Sequence, residues 1–149
     1  LLAFSSLRQR KVNLEEGGSV EPTLCIRQIG SAGPGHGVLA KALAIPATDN
    51  RQQEDERIKA HYAALGQPAV PYGGHVEKLD AAAAPEKYRP DVVIACWVTH
   101  RFDPARRHAG GSATGVDEAA ITAACGEYIF VGNAHVHAHK PIWLLPTKS

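Results

Sequence analysis

The segment "DVVIACWVTH", residues 91–100, constrains the fold of this chain more than any other stretch. It is apolar almost throughout, and a strand has this composition when protein covers both of its faces. Strands of antiparallel sheets commonly keep one face in water and alternate apolar with polar residues, which this segment does not do. The segment therefore predicts a central strand of a parallel sheet.

Strand-like and helix-like segments alternate on both sides of this strand. Short apolar runs bounded by turn residues predict strands at residues 23–30, 45–50, 75–80 and 127–133. The clearest helix covers residues 51–65, with Asn50 as its cap and Gly66 at its end. This alternation is typical of α/β proteins. We therefore expect an α/β fold with a mostly parallel, doubly wound Rossmann-like sheet of about five strands and helices on both faces.

The chain divides into a lead-in segment, residues 1–22, and a single Rossmann-like α/β domain, residues 23–149. The opening "LLAFSSLRQRKVNL" predicts a short amphipathic helix, since Leu2, Phe4 and Leu7 fall on one side of it. Glycines and Pro22 then interrupt that helix. The 149 residues suffice for one domain with a core of its own.

Charge and cysteine content narrow the classes of partner. The formal net charge is +1, which gives no strong attraction to nucleic acid or to a membrane surface. No apolar run approaches the ~18 residues that a membrane span needs. The three cysteines form no CxxC pair and lie in apolar segments, as expected of reduced thiols. We therefore expect a cytoplasmic protein that binds neither membranes nor nucleic acid.

A glycine-rich segment, "IGSAGPGHG" at residues 29–37, lies between the first strand of the domain and a helix. Four glycines make this segment costly to order on folding. A backbone that approaches a ligand closely needs glycines and would explain this cost. A phosphate-binding P-loop is excluded, because no lysine follows these glycines before Lys41. The dinucleotide fingerprint GxGxxG also fails, because Val38 stands where its third glycine would be.

This segment resembles the first motif of class I S-adenosylmethionine-dependent methyltransferases, in which a strand ends in a Gly-x-Gly turn beside the cofactor. The resemblance runs in order and spacing over about residues 23–133. It implies that the methionine part of S-adenosylmethionine lies against the turn at Gly30, Ser31, Gly33 and Gly35.

The same resemblance implies contacts after the later strands. Asp49, with its neighbour Asn50, would accept hydrogen bonds from the ribose hydroxyls, which match one carboxylate in a bidentate way. The pair Asp80 and Ala81 would lie near the adenine, and Trp97 would open the segment that faces the sulfonium. For both aspartates, capping of the following helix is the alternative role.

His100 and Asp103 follow the central strand and are the candidate catalytic residues. A histidine there can act as general base or orient a substrate. Methyl transfer often needs little beyond alignment. The expected function is therefore methyl transfer from S-adenosylmethionine to an unidentified acceptor. The loop from Thr99 to Gly115 would form the acceptor-side wall and be mobile, since its glycines give it hinges.

Two alternatives to methyl transfer stay open. One is a fragment of an NAD-type oxidoreductase on a similar sheet. The other is a non-catalytic binding or assembly module, which is favoured by Gln28 where the family usually has an acidic residue. It is favoured also by the short sequence after the fifth strand, because an exposed sheet edge can be covered by a second copy of the chain.

Three alternating histidines, His135, His137 and His139, follow the last predicted strand. On a strand they would share one face, with successive Cα atoms about 6.5–7 Å apart. Such a row suits a tetrahedral metal site less well than ligands from separate segments. We therefore expect a polar wall beside the cofactor and no native metal.

Overall fold

The computed structural model describes residues 2–6, 23–27, 37–69 and 71–145. Six strands lie within these ranges. They are β1 Leu2–Ser6, β2 Thr23–Arg27, β3 Ala47–Asp49, β4 Val76–Lys78, β5 Val92–Cys96 and β6 Glu127–Asn133. They form one sheet with the order β1-β6-β5-β2-β3-β4.

Short helices connect the strands. The α-helices in the described ranges are α1 Val38–Ala42, α2 Glu56–Ala64, α3 Ala84–Tyr88 and α4 Glu118–Ala123. Three 3₁₀ helices accompany them, at Gln52–Glu54, Pro104–Ala109 and Pro141–Leu144. Asp55 rather than Asn50 caps α2, because its carboxylate accepts a hydrogen bond from the Arg57 amide at 2.8 Å.

The strands from β2 to β6 run parallel, and β1 is antiparallel to β6. Leu24 pairs with Val93 across β2 and β5, and Leu2 pairs with Asn133 across β1 and β6. From β2 the chain adds β3 and β4 on one side, and β5 and β6 on the other. The strand order therefore reverses between β2 and β5.

The prediction of a doubly wound Rossmann-like sheet of about five strands is wrong. The sheet has six strands and is mixed, because the segment predicted to be an amphipathic helix is the antiparallel edge strand β1. Pairing with β6 decides the conformation of this short apolar run, whose own propensity is ambiguous. The helix α2, the longest of the described helices at nine residues, buries none of its side chains.

The larger core lies on one face of β5 and β6. In β6, buried residues alternate with half-buried ones, as expected of a strand with one well-covered face. The helices α3 and α4 and the last 3₁₀ helix cover this face with Ala84, Ile121 and Ile142. Burial of each large aliphatic side chain contributes about 1.5–3 kcal/mol. A smaller cluster, Ala40, Ala47 and Val76, packs separately near β3 and β4.

In the part of the chain that the structure describes, no helix is both long and apolar enough to cross a membrane. Cys96 and Cys125 are both half-buried.

Candidate functional site

The candidate site lies at the carboxyl ends of β3 and β5. Ligands of open α/β sheets bind outside the carboxyl ends of the strands, where the strand order reverses. Asp49 ends β3, and the segment from Trp97 to His100 directly follows β5. The predicted cofactor contacts in the glycine-rich segment fall outside the described residues, between β2 and α1: Gly30, Ser31, Gly33 and Gly35.

Asp49 is buried, with 1% of its surface exposed. One carboxylate oxygen accepts a hydrogen bond from the Arg51 amide at 2.6 Å, and the Asp49 carbonyl accepts one from the Leu79 amide at 3.0 Å. The side chain of Asn50 accepts a hydrogen bond from the Gln52 amide at 3.1 Å. Both residues therefore shape the turn that leaves β3, and this role can coexist with a ligand contact.

The residues after β4 have local structural roles. The Asp80 carboxylate accepts a hydrogen bond from the Ala82 amide at 2.8 Å within the turn before α3, whose N-cap residue is Ala83. Ala81 is buried in the larger core. The structure thus gives both residues a place in the turn before α3, with Ala81 covered by core side chains.

Trp97 turns the chain sharply at the end of β5. Its backbone has a φ of 55°, in the left-handed region that residues other than glycine rarely adopt. The Trp97 amide donates a hydrogen bond to the Val131 carbonyl at 2.8 Å, which holds this turn against β6. Backbone strain of this kind costs about 1–3 kcal/mol and occurs preferentially at functional sites.

His100 and Asp103, the predicted catalytic residues, are not paired with each other. His100 is buried, with 8% of its surface exposed. The Asp103 carboxylate accepts a hydrogen bond from the Ala105 amide at 2.8 Å and caps the 3₁₀ helix Pro104–Ala109. Among the described residues, no hydrogen bond or ion pair joins the two side chains. Asp103 therefore does not orient the imidazole.

The loop from Thr99 to Gly115 is tied together at its base. The Val116 amide donates to the Thr99 carbonyl at 2.8 Å, and the Ser112 amide donates to the His100 carbonyl at 3.0 Å. Short parallel bridges pair His100 with Val116 and Arg101 with Ser112. The backbone around His100 is therefore fixed on two sides, and the predicted mobility of the loop stays a prediction.

The three tail histidines do not lie on a strand. The strand β6 ends at Asn133, and residues 134–139 form turns. The ring of His137 is half-buried and lies edge-on to the rings of Trp97 and Phe130, with centroids 5.4 and 4.9 Å away. Within the described ranges, no group of three or more potential metal ligands occurs. The expected absence of a native metal stays a prediction.

A buried polar cluster, defined by Glu118, Tyr128 and Lys140, lies beside this segment, and sequence reasoning did not find it. Lys140 is 3% exposed and Glu118 is 5% exposed, and their side chains form an ion pair at 2.8 Å. The Tyr128 hydroxyl donates to the other oxygen of Glu118 at 2.7 Å. The Lys140 ammonium also donates to the Val98 carbonyl at 2.7 Å.

Burial opposes the charges of this cluster. It raises the pKa of Glu118, although Lys140 and Tyr128 act in the other direction. It lowers the pKa of Lys140, against the effect of the Glu118 carboxylate. It also raises the pKa of Tyr128 well above its usual range, which keeps the hydroxyl protonated. Both members of the ion pair are therefore harder to ionise in the folded protein than in water.

Burial also disfavours the charged forms of two histidines near the cluster. Burial, followed by the positive charge of Lys140, lowers the pKa of His100. Burial lowers the pKa of His137 as well, although the Asn133 backbone opposes this and Lys140 adds to it. At neutral pH each imidazole is therefore unprotonated and can accept a proton.

These lowered pKa values predict a loss of stability in acid. In the unfolded chain both histidines bind protons as pH falls through about 6.5, whereas in the folded protein they bind them only at lower pH. As the pH falls below about 6.5 the unfolded state therefore binds more protons than the folded state, and the free energy of unfolding falls.

Urea unfolding at several pH values between 7.5 and 5 measures this pH dependence of the free energy of unfolding. His137→Gln should weaken this pH dependence, and the variant of an exposed histidine, His135→Gln, should retain it. Equal slopes in all three proteins would contradict the prediction.

Comparison of the chain with protein-family models, with curated proteins and with solved structures finds no match. The function is therefore argued from the geometry and chemistry of the site, because the same fold supports many activities.

Proposed function

We propose that the chain binds S-adenosylmethionine at the carboxyl ends of β2, β3 and β5 and transfers its methyl group to an unidentified acceptor. The observation that supports this most is the buried carboxylate of Asp49 at the end of β3. This strand is a neighbour of β2, which the glycine-rich segment follows, and the strand order reverses on the other side of β2. Such a position is where open α/β sheets bind ligands.

A buried carboxylate is costly unless donors surround it. The Arg51 amide is one donor to the Asp49 carboxylate, and ribose hydroxyls are donors of the kind that a carboxylate binds. The short turn between Asp49 and Arg51 also keeps the carboxylate in one orientation, as a binding residue requires.

His100 is the residue we assign as general base. It follows β5, across the reversal point from β3, and its lowered pKa leaves the imidazole neutral near neutral pH. The loop beyond it carries the exposed side chains of Arg101, Arg106 and Arg107. In this proposal, that loop forms the wall on the acceptor side.

An assembly module remains a second candidate, supported by α1. Val38, Leu39 and Leu43 are large apolar side chains and all three are exposed. Self-association would remove this apolar surface from water. Either proposal includes a cytoplasmic location, which rests on the sequence, because its three cysteines form no CxxC pair and lie in apolar segments.

Calorimetric titration tests the cofactor. We expect S-adenosylmethionine and S-adenosylhomocysteine to bind and NAD not to bind. The variant Asp49→Asn keeps an acceptor for the Arg51 amide but removes the charge, and should weaken binding by ~1.5–3 kcal/mol. Asp55→Asn is the matched control, because Asp55 caps α2 away from the strand ends. It should leave the affinity unchanged.

The possible results separate the candidate functions. Binding of NAD without binding of either sulfur ligand would reject the proposal in favour of an oxidoreductase fragment. An absence of binding by all three ligands, together with a dimeric mass in light scattering, would favour the assembly module. If Asp49→Asn leaves the affinity for S-adenosylmethionine unchanged but lowers the free energy of unfolding, Asp49 stabilises the turn and does not contact the cofactor.

A further inference from the structure

Lys140 contacts the backbone that leads from β5 to His100. Its ammonium donates to the carbonyl of Val98 at 2.7 Å, two residues before the histidine. The same ammonium lies 2.8 Å from a carboxylate oxygen of Glu118, in the first turn of α4. It also lies 4.6 Å from the centre of the Phe130 ring in β6. Groups from three separate elements thus surround one positive charge.

The surroundings hold this charge in one place. A lysine ammonium has three donors, and the carbonyl, the carboxylate and the aromatic ring face it from different elements. The Tyr128 hydroxyl fixes the other oxygen of Glu118, so the carboxylate cannot turn away. A surface lysine would instead sample many rotamers and be screened by water.

We infer that Lys140 is a positioning residue for His100, which fixes the backbone before this imidazole and places an ammonium group near it. The use of His100 as a base rests on the proposed function. The effect of Lys140 on the imidazole does not, because it can be measured on His100 itself.

The charges around His100 support this role. Burial is the largest cause of the lowered pKa of His100, and Lys140 and, to a smaller extent, His137 add to it. The backbones of Ala109 and Gly110 act in the opposite direction. The Lys140 ammonium is therefore the charged group that adds most to the effect of burial on the His100 imidazole.

A contribution to stability alone does not explain the cluster. Burial raises the pKa of Glu118 and lowers that of Lys140, so the pair recovers less than its removal from water costs. Apolar residues of similar size often replace buried ion pairs without loss of stability. Control of the backbone and of the charge at His100 accounts for an ion pair at this position.

The test is an NMR titration of the histidine ring protons in the full chain, with the His100 signal assigned from the variant His100→Gln. Lys140→Met should move the midpoint of His100 to higher pH, and Lys140→Arg should return it toward the wild-type midpoint. Lys87→Met is the control, because Lys87 is exposed and pairs with Glu77 far from the cluster. It should leave the midpoint unchanged.

Lys140→Met leaves the Glu118 carboxylate unpaired and can impair folding, so the double variant Lys140→Met with Glu118→Gln gives a second measurement. It also lacks the positive charge, and its His100 midpoint should likewise lie above that of the wild type. An unchanged midpoint in the folded single or double variant overturns the inference. A shifted midpoint in a protein that does not bind S-adenosylmethionine would support the inference while rejecting the proposed function.

Discussion

Replacement of Lys140 by methionine should lower the free energy of unfolding by about 3–5 kcal/mol, the range for removal of one partner from a buried ion pair. Methionine is close to lysine in size, so the change largely preserves the packing against Phe130. The loss arises because Glu118, which is 5% exposed, keeps a carboxylate without its cation. Urea unfolding of the wild type and the variant at pH 7.5 measures it.

The double variant Lys140→Met with Glu118→Gln should recover most of that loss. The glutamine oxygen can still accept the hydrogen bond from the Tyr128 hydroxyl, and no buried charge remains. We expect its stability to lie within about 1 kcal/mol of the wild type, since a buried ion pair contributes little net stability. A double variant as unstable as the single one would show that lost packing, and not the unpaired carboxylate, causes the effect.

Gly115→Ala should destabilise the protein by ~1–3 kcal/mol or more, as expected when extra atoms are forced into a packed position. A Cβ atom on residue 115 would lie 2.0 Å from the carbonyl oxygen of His100 and 2.6 Å from the amide nitrogen of Arg101. Both are backbone atoms held by the bridges at the base of the loop, so they cannot rotate away. The variant must separate the loop from the segment that carries His100.

Gly74→Ala is the matched control for this substitution. No heavy atom lies within 4 Å of a Cβ built on Gly74. Its effect on the unfolding free energy should stay within about 0.5 kcal/mol. If both alanine variants had the same stability, the close contact between Gly115 and His100 would not exist in solution.

Continuous apolar runs were the most informative part of the sequence. The strand β5 and the later strand β6 lie where such runs predict them, because burial on a covered face leaves a strong pattern. The segment Leu2–Ser6 shows the limit of this approach. Its few apolar residues fit a helix stripe and a strand equally well, and its conformation depends on a partner far along the chain.

The site itself stays a prediction. Asp49 was proposed from the resemblance to methyltransferases and His100 from its place after the most apolar strand, and the structure shows both residues buried, Asp49 at the end of β3 and His100 shortly after β5. Asp80 and Asp103 follow strands too, but each accepts a hydrogen bond within a local turn, and one acidic residue in a sequence does not distinguish these roles. Capping and ligand binding use the same oxygen atoms.

The cluster of Glu118, Tyr128 and Lys140 left no comparable pattern. Its members come from α4, from β6 and from the residue before the last 3₁₀ helix, and only the packing of these elements brings them together. Lys140 does stand directly before the apolar run "PIWLL". A charged residue beside such a run is a weak indication of burial, because most lysines there extend into water.

The pairing of β1 with β6 has a consequence for synthesis. Leu2 and Asn133 are partners separated by roughly 130 residues. Bringing them together costs the entropy of closing this long loop before their pairing stabilises the sheet. On the ribosome, β1 is made before every other described strand but has no place in the sheet until β6 has emerged. Until then the edge of β5 that pairs with β6 stays open, and unpaired edges promote association with other chains. Completion of the sheet should therefore be the slow, post-synthetic step, and the point at which nascent chains are most prone to aggregate.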